Sequence, residues 1–93
     1  MIVEKKVDNF NMTLDISDGG ISRVLYTVGT REKLFMSMLR NTIKPGMTCV
    51  DLGANIGYTT LYMLDKVGPD GQVYAIEPDQ HNIDLLTKNV NNN

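Results

Sequence analysis

The stretch Thr48-Cys49-Val50-Asp51-Leu52-Gly53-Ala54-Asn55-Ile56-Gly57 decides the fold. Its first five residues are a short, mostly apolar run that reads as a buried parallel strand. Two glycines follow directly, and Tyr58 to Val67 then carries Leu61, Tyr62 and Leu64 on an inward helical face. Gly68-Pro69-Asp70-Gly71 is turn chemistry. Gln72 to Ile76 reads as a second strand, which Glu77-Pro78 closes. Asp79 is placed to cap a helix over Gln80 to Val90, with Ile83, Leu86 and Val90 on one face. The Asn-rich tail, Asn89 to Asn93, is expected to fray. Strand, glycine turn, helix, turn, strand, helix is a βαβα unit, and such a crossover is parallel and right-handed. The expected fold class is therefore α/β.

Residues 1–46 read as a small β/helical preamble to this unit. Phe10, Met12, Leu14 and Ile16 alternate with polar residues, the period of a half-buried strand, and Val3 to Val7 is a weaker strand beside it. Ser17-Asp18-Gly19-Gly20 is a turn, and Ile21 to Val28 reads either as a short helix or as a strand. A helix is expected from Thr30, its N-cap, to about Ile43, with Leu34, Phe35, Met38, Leu39 and Ile43 as its apolar stripe. Pro45-Gly46 ends it. Residues 47–93 then form the second unit.

Length and charge bound the function. The chain has 93 residues, so it is at most one small domain, with a thin core. Nine Lys and Arg against eleven Asp and Glu give a net charge of -2, which is no footprint of nucleic-acid binding. No nucleic-acid partner is expected on that ground. No apolar run has the length of a membrane span, and the first residues carry Glu4, Lys5 and Lys6 with no apolar region of a signal peptide. The single Cys49 is compatible with a cytoplasmic protein, the expected location.

In an open α/β sheet, ligands bind beyond the C-terminal ends of the strands, where Gly53 and Glu77 both fall. Gly53 lets a ligand approach the backbone, and Gly57 lets the next helix pack closely. Glu77 suits an acid that accepts hydrogen bonds from ribose hydroxyls. The spacing departs from the dinucleotide fingerprint, which needs glycine at 55 and glycine or alanine at 58, where Asn55 and Tyr58 stand. A pyrophosphate needs closely packed N–H groups at a helix start, so a cofactor without phosphates fits better. S-adenosyl-L-methionine is such a cofactor.

Asp51-x-Gly53-Ala54-Asn55-x-Gly57 followed by Tyr58-Thr59-Thr60-Leu61 resembles the first motif of the FkbM-type S-adenosylmethionine-dependent methyltransferases. Val73 to Pro78 resembles that family's second motif, Ile83 to Asn89 the helix after it, and Leu14 to Asp18 with Gly20 to Arg23 its entry segment. The resemblance implies an incomplete Rossmann-like class I methyltransferase unit, the first half of a cofactor domain. It implies that Asp51 orients the amino acid end of the cofactor, directly or through water. Gly53 would lie beneath the cofactor, and Ala54 and Asn55 would line its methionine portion. Glu77 would hold both ribose hydroxyls, Pro78 would shape the turn, and Asp79 would flank the adenine.

The same resemblance implies O-methylation of a small molecule or glycan, and no catalytic residue carries over because the family's later strands have no counterpart here. The chain alone is then expected to be inactive and poorly stable, with a complementary C-terminal half as a partner. The rival readings are a fragment of another nucleotide-binding Rossmann-type enzyme and a non-catalytic remnant. Cys49 reads as a structural thiol and His81 as a surface histidine with no metal role. Met36, Met38 and Met63 read as core fillers. Tyr58 reads equally as a cofactor contact or as packing.

Overall fold

A computed structural model describes residues 1–17 and 19–93. The part of the expected turn and entry segment at Asp18 lies outside the described residues. Strand β1 (Ile2–Val7) pairs antiparallel with β2 (Phe10–Asp15), from Ile2 opposite Asp15 to Val7 opposite Phe10. The connecting turn puts Asp8 at φ 52°, a left-handed conformation that Asp tolerates better than most residues. Two helices follow, α1 (Ile21–Val28) and α2 (Lys33–Thr42). The ambiguous segment is thus a helix: Ser22 and Leu25 are its buried positions, one turn apart.

The second unit follows the expected order. Strand β3 (Thr48–Leu52) leads into α3 (Tyr58–Val67), then β4 (Gln72–Ile76) and α4 (Gln80–Asn91). The two strands pair in parallel, with Thr48 opposite Gln72 and Leu52 opposite Ile76. The architecture is α/β: an incomplete Rossmann-like βαβα unit preceded by a hairpin and two helices. No helix among the described residues is long and apolar enough to cross a membrane.

One hydrophobic cluster joins the two units. Val7, Met12 and Leu14 of the hairpin meet Leu25 and Met36 of the first helices and Tyr58, Leu61 and Tyr62 of α3. Phe10 and Tyr62 pack edge to face at 5.1 Å between ring centroids, and Tyr62 and Tyr58 at 5.5 Å. Aromatic pairs favour this edge geometry because a ring's positive edge meets a negative face.

Several expectations are corrected. Helix α2 begins at Lys33, not Thr30. Glu32 is its N-cap residue, at φ 51°, while the Thr30 hydroxyl lies 3.3 Å from the Tyr58 hydroxyl. Its buried residues are Met36 and Leu39, with Ile43 just beyond the helix. Leu34 is 90% exposed and Met38 52%, because α2 packs on α3 with a different face. Met38 is therefore no core filler, whereas Met36 and Met63 are buried. Strand β3 is covered on one face only. Val50, Leu52, Tyr74 and Ile76 share the other face, and each is more than half exposed. The cause is topological: a right-handed crossover puts the helices on the same side of the strands.

The Asn-rich tail does not fray. Asn89 is fully buried: its Oδ1 accepts from the Thr13 N–H at 2.6 Å, and its Nδ2 donates to the Thr13 carbonyl at 3.3 Å. Asn93 repeats the pattern on Asn11, accepting at 2.9 Å and donating at 2.8 Å. Two amides four residues apart on α4 and its end thus stand in for a third strand along the outer edge of β2. The spacing matches: four helical residues rise about 6 Å, and two strand residues about 7 Å. An edge strand otherwise leaves such groups unpaired.

Candidate functional site

The loop after β3 turns on three left-handed residues: Gly53 at φ 71°, Asn55 at φ 54° and Gly57 at φ 96°. Glycine adopts that region freely, and Asn is among the few side chains that tolerate it. At Gly57 there is a second reason. A Cβ there would lie 2.6 Å from Cδ1 of Leu86, so glycine lets α3 and α4 meet. At Gly53 a Cβ would meet nothing within 4 Å among the described residues, so they leave the space above its backbone open.

Four of the loop's backbone N–H groups already have partners. The N–H groups of Gly53 and Ala54 both donate to the Ile76 carbonyl, at 2.9 and 3.0 Å. The Gly57 N–H donates to the Ala54 carbonyl at 3.0 Å. The Asn55 N–H donates to Oε1 of Glu77 at 2.8 Å. A phosphate-binding turn keeps such donors aimed at its ligand. Here three of the four, those of Gly53, Ala54 and Asn55, tie the loop to the end of β4 instead.

Glu77 is the centre of the site. Its Oε2 accepts from the Asp79 N–H at 3.0 Å and from the Asn82 side chain at 3.4 Å. The Asp79 N–H, and after it the Asn55 N–H, hold the Glu77 carboxyl below its usual range. Hydrogen bonds to the charged form favour ionisation. A carboxylate offers about four lone-pair positions, so one remains free and the Asn82 contact is long enough to yield. Asp79 caps α4 as the sequence implies, accepting from the Asn82 N–H at 3.0 Å. Pro78 is the exposed residue between Glu77 and that cap.

Asp51 lies on the inner face of β3, only 7% exposed, and accepts from the Thr60 hydroxyl at 2.6 Å. Ala54 is buried and Asn55 is half-buried. The structure thus brings Gly53, Ala54, Asn55, Gly57, Glu77 and Asp79 to one end of the two strands. It keeps Asp51 behind them, against α3. Tyr58 is turned away from the loop's open side: its hydroxyl donates to Asp8 at 2.7 Å and accepts from the Arg31 N–H at 3.1 Å. The Tyr62 hydroxyl also donates to Asp8, and burial, then this bond, raises its pKa above the usual phenol range.

Sequence reasoning missed Thr60, Asn82 and Asn89. The first two had a legible signal: Thr60 sits on the first turn of the helix behind Asp51, and Asn82 on the first turn after Glu77. His81 is exposed as expected, but its Nε2 lies 2.8 Å from Oδ2 of Asp15, a partner 66 residues away. Among the described residues, no three His, Cys, Asp or Glu side chains are placed to hold a metal ion. A concavity of about 440 Å³ lies between Glu4, Lys5, Lys6, Asn11, Met12 and Asn92 and does not touch the loop. The candidate site is an open ledge at the strand ends.

No protein-family model matches the chain. Over 35 residues it is 54% identical to "Putative rRNA 2'-O-methyltransferase fibrillarin 3" of Arabidopsis thaliana, which covers 38% of this chain and 12% of that protein. Over 66 residues it is 44% identical to "rRNA 2'-O-methyltransferase fibrillarin" of Caenorhabditis elegans, covering 64% of this chain and 19% of that protein. The chain thus spans less than a fifth of the length of either relative. Neither relative is named for the FkbM-type family. Both are named for rRNA, which overturns the expectation that nucleic acid is absent from the partners. Net charge over a whole chain is no ground for excluding such a partner, because it averages over every surface. What these comparisons support is a chain similar to methyltransferases over part of its length.

Proposed function

We propose that this chain is the N-terminal part of an S-adenosylmethionine-dependent O-methyltransferase. Residues 47–93 are the first half of its cofactor-binding domain, and residues 1–46 are a preamble packed against it. The observation that carries the reading is the hydrogen bond from the Asn55 N–H to Glu77, which joins the glycine loop to an ionised carboxylate at the end of the neighbouring strand.

The residues fit the cofactor. Among the described residues nothing lies where a Cβ on Gly53 would stand, so the backbone there can be approached closely. Glu77 keeps one lone-pair position free and a second behind the long Asn82 contact, two acceptors for a ribose diol. The N–H groups of Gly53, Ala54, Asn55 and Gly57 are already paired, which suits a ligand lacking phosphate. When bound, S-adenosylmethionine supplies an electrophilic methyl group on a sulfonium sulfur. Glu77 holds the ribose, Gly53, Ala54 and Asn55 border the methionine portion, and Pro78 and Asp79 flank the adenine. Asp51, braced by Thr60, supports the loop from beneath and attracts the cofactor's ammonium end through water. The chain's contribution is to hold one reactant in place for a partner to meet, an entropic contribution to rate.

For the acceptor we favour an RNA ribose hydroxyl, on the strength of the two relatives named as rRNA 2'-O-methyltransferases. A small-molecule or glycan hydroxyl is the rival that the FkbM-type resemblance supports. Calorimetry with S-adenosylmethionine tests the cofactor reading. Glu77→Ala should weaken binding by roughly 1.5–3 kcal/mol, the range for hydrogen bonds to a charged group. No binding heat from the unaltered chain, or equal affinity in the variant, would refute it.

A further inference from the structure

Asn89 does more than close the edge of β2. Its Nδ2 also donates to the Ile56 carbonyl at 2.8 Å, inside the glycine loop. A trans peptide is planar, so its carbonyl and the next N–H point in opposite directions. Holding the Ile56 carbonyl therefore aims the Gly57 N–H, which donates to the Ala54 carbonyl at 3.0 Å. The peptide of Ala54 in turn aims the Asn55 N–H, which donates to Oε1 of Glu77 at 2.8 Å. Three hydrogen bonds and two peptide planes thus connect the Asn89 amide to the Glu77 carboxylate. The same amide is held by both backbone groups of Thr13, and Asn89 has no exposed surface. Its bonds at fixed positions from β2 leave it one geometry from which to donate to the loop.

We infer that Asn89 is a positioning residue for Glu77, and that through it the N-terminal hairpin sets the shape of the cofactor loop. The ligand-binding half of this inference rests on the proposed function above; the structural half does not. Asn89→Asp is the discriminating change. It is nearly isosteric and still accepts from the Thr13 N–H, but its ionised form has no donor for the Ile56 carbonyl. Asn89→Ser is a second variant, smaller and too short to reach Ile56. Leu39→Ala is the control for lost stability alone, since Leu39 lies in the core on α2.

Carboxyl and amide NMR on the full chain give the readout. In both Asn89 variants the Asn55 and Gly57 amide shifts should move, and the Glu77 midpoint should rise toward the ordinary carboxylate value. The native charged groups on the elements that meet there, Asp15 on β2, Asp51 on β3, Asp65 and Lys66 on α3, and Asp79, His81, Asp84 and Lys88 at and along α4, are unchanged in each variant. Asn89→Ser adds no charge, so a rise seen in both variants is not the field of a new carboxylate. In Leu39→Ala both signals should stay at the wild-type positions. Affinity for S-adenosylmethionine should fall by about tenfold in the Asn89 variants, the worth of about one hydrogen bond. Unmoved loop amides and an unmoved Glu77 midpoint in a folded Asn89 variant would overturn the inference. Wild-type protein that binds no S-adenosylmethionine would sink the proposed function instead, and the titration would still decide the role of Asn89. If both Asn89 variants fail to fold, Thr13→Pro, which deletes the N–H that holds the amide oxygen, must shift the same loop signals, or the inference falls.

Discussion

Oε1 of Glu77 accepts the backbone N–H of Asn55 at 2.8 Å, so the acid at the end of β4 and the turn after β3 are one unit. The bond depends on Asn55 holding φ 54°. Asn55→Gly should keep the turn and change the melting temperature little. Asn55→Val puts a β-branched side chain in a left-handed position and should cost about 1–3 kcal/mol. Thermal melts of both variants check this; a Val variant as stable as the Gly variant would show that the turn relaxes elsewhere.

Gly57 is constrained twice, by φ 96° and by a Cβ position 2.6 Å from Leu86. Gly57→Ala should destabilise the chain by about 2–4 kcal/mol, from overpacking and backbone strain together. Adding Leu86→Ala should remove the overlap but not the strain, so the two losses should be less than additive. Urea titrations of the two single variants and the double give the coupling directly. Strict additivity would mean the overlap carries no energy.

Asp15 accepts from the Ser17 hydroxyl, the Ser17 N–H, His81 and the N-terminus. The Ser17 hydroxyl, then its N–H, then His81 hold this carboxyl well below the usual carboxylate range. A carboxyl depressed in the folded state binds protons less readily there than in the unfolded chain. Its stabilisation is complete above the ordinary value of 3.8 and is lost as the pH falls below it. The stability gap between the wild type and Asp15→Asn should therefore be constant near neutrality and shrink as the pH drops from about 5 to about 2. A gap that stays constant over that range would exclude the linkage.

Val50, Leu52, Tyr74 and Ile76 make an uncovered apolar face on a two-stranded parallel sheet. Parallel sheets are normally covered on both faces, and an open strand edge is a template for pairing. Residues 1–93 alone should therefore associate with rising concentration, and the double change Leu52→Lys with Tyr74→Lys should suppress it. Sedimentation velocity over a tenfold concentration range measures this. A concentration-independent monomer for the unaltered chain would show that the face is tolerated in water.

The sequence by itself determined the local elements of the second unit. Glycines at 53 and 57, the Gly68-Pro69 turn and the Asp79 cap are short-range signals, and each element starts and stops where they act. It also placed Glu77 beside the glycine loop, because a right-handed parallel crossover brings both strand ends to one side. What it did not determine was which face of an element finds a partner. Leu34 and Met38 match a helical stripe as well as Met36 and Leu39 do, and only packing on α3 exposes one set and buries the other. Asn89 reads as one polar residue in an Asn-rich tail. Its burial is decided by strand β2, some 76 residues away, whose edge needs the donor and acceptor that an amide carries. Periodicity reports how a segment can be amphipathic, while the identity of the surface against it is a long-range property that only the assembled chain supplies.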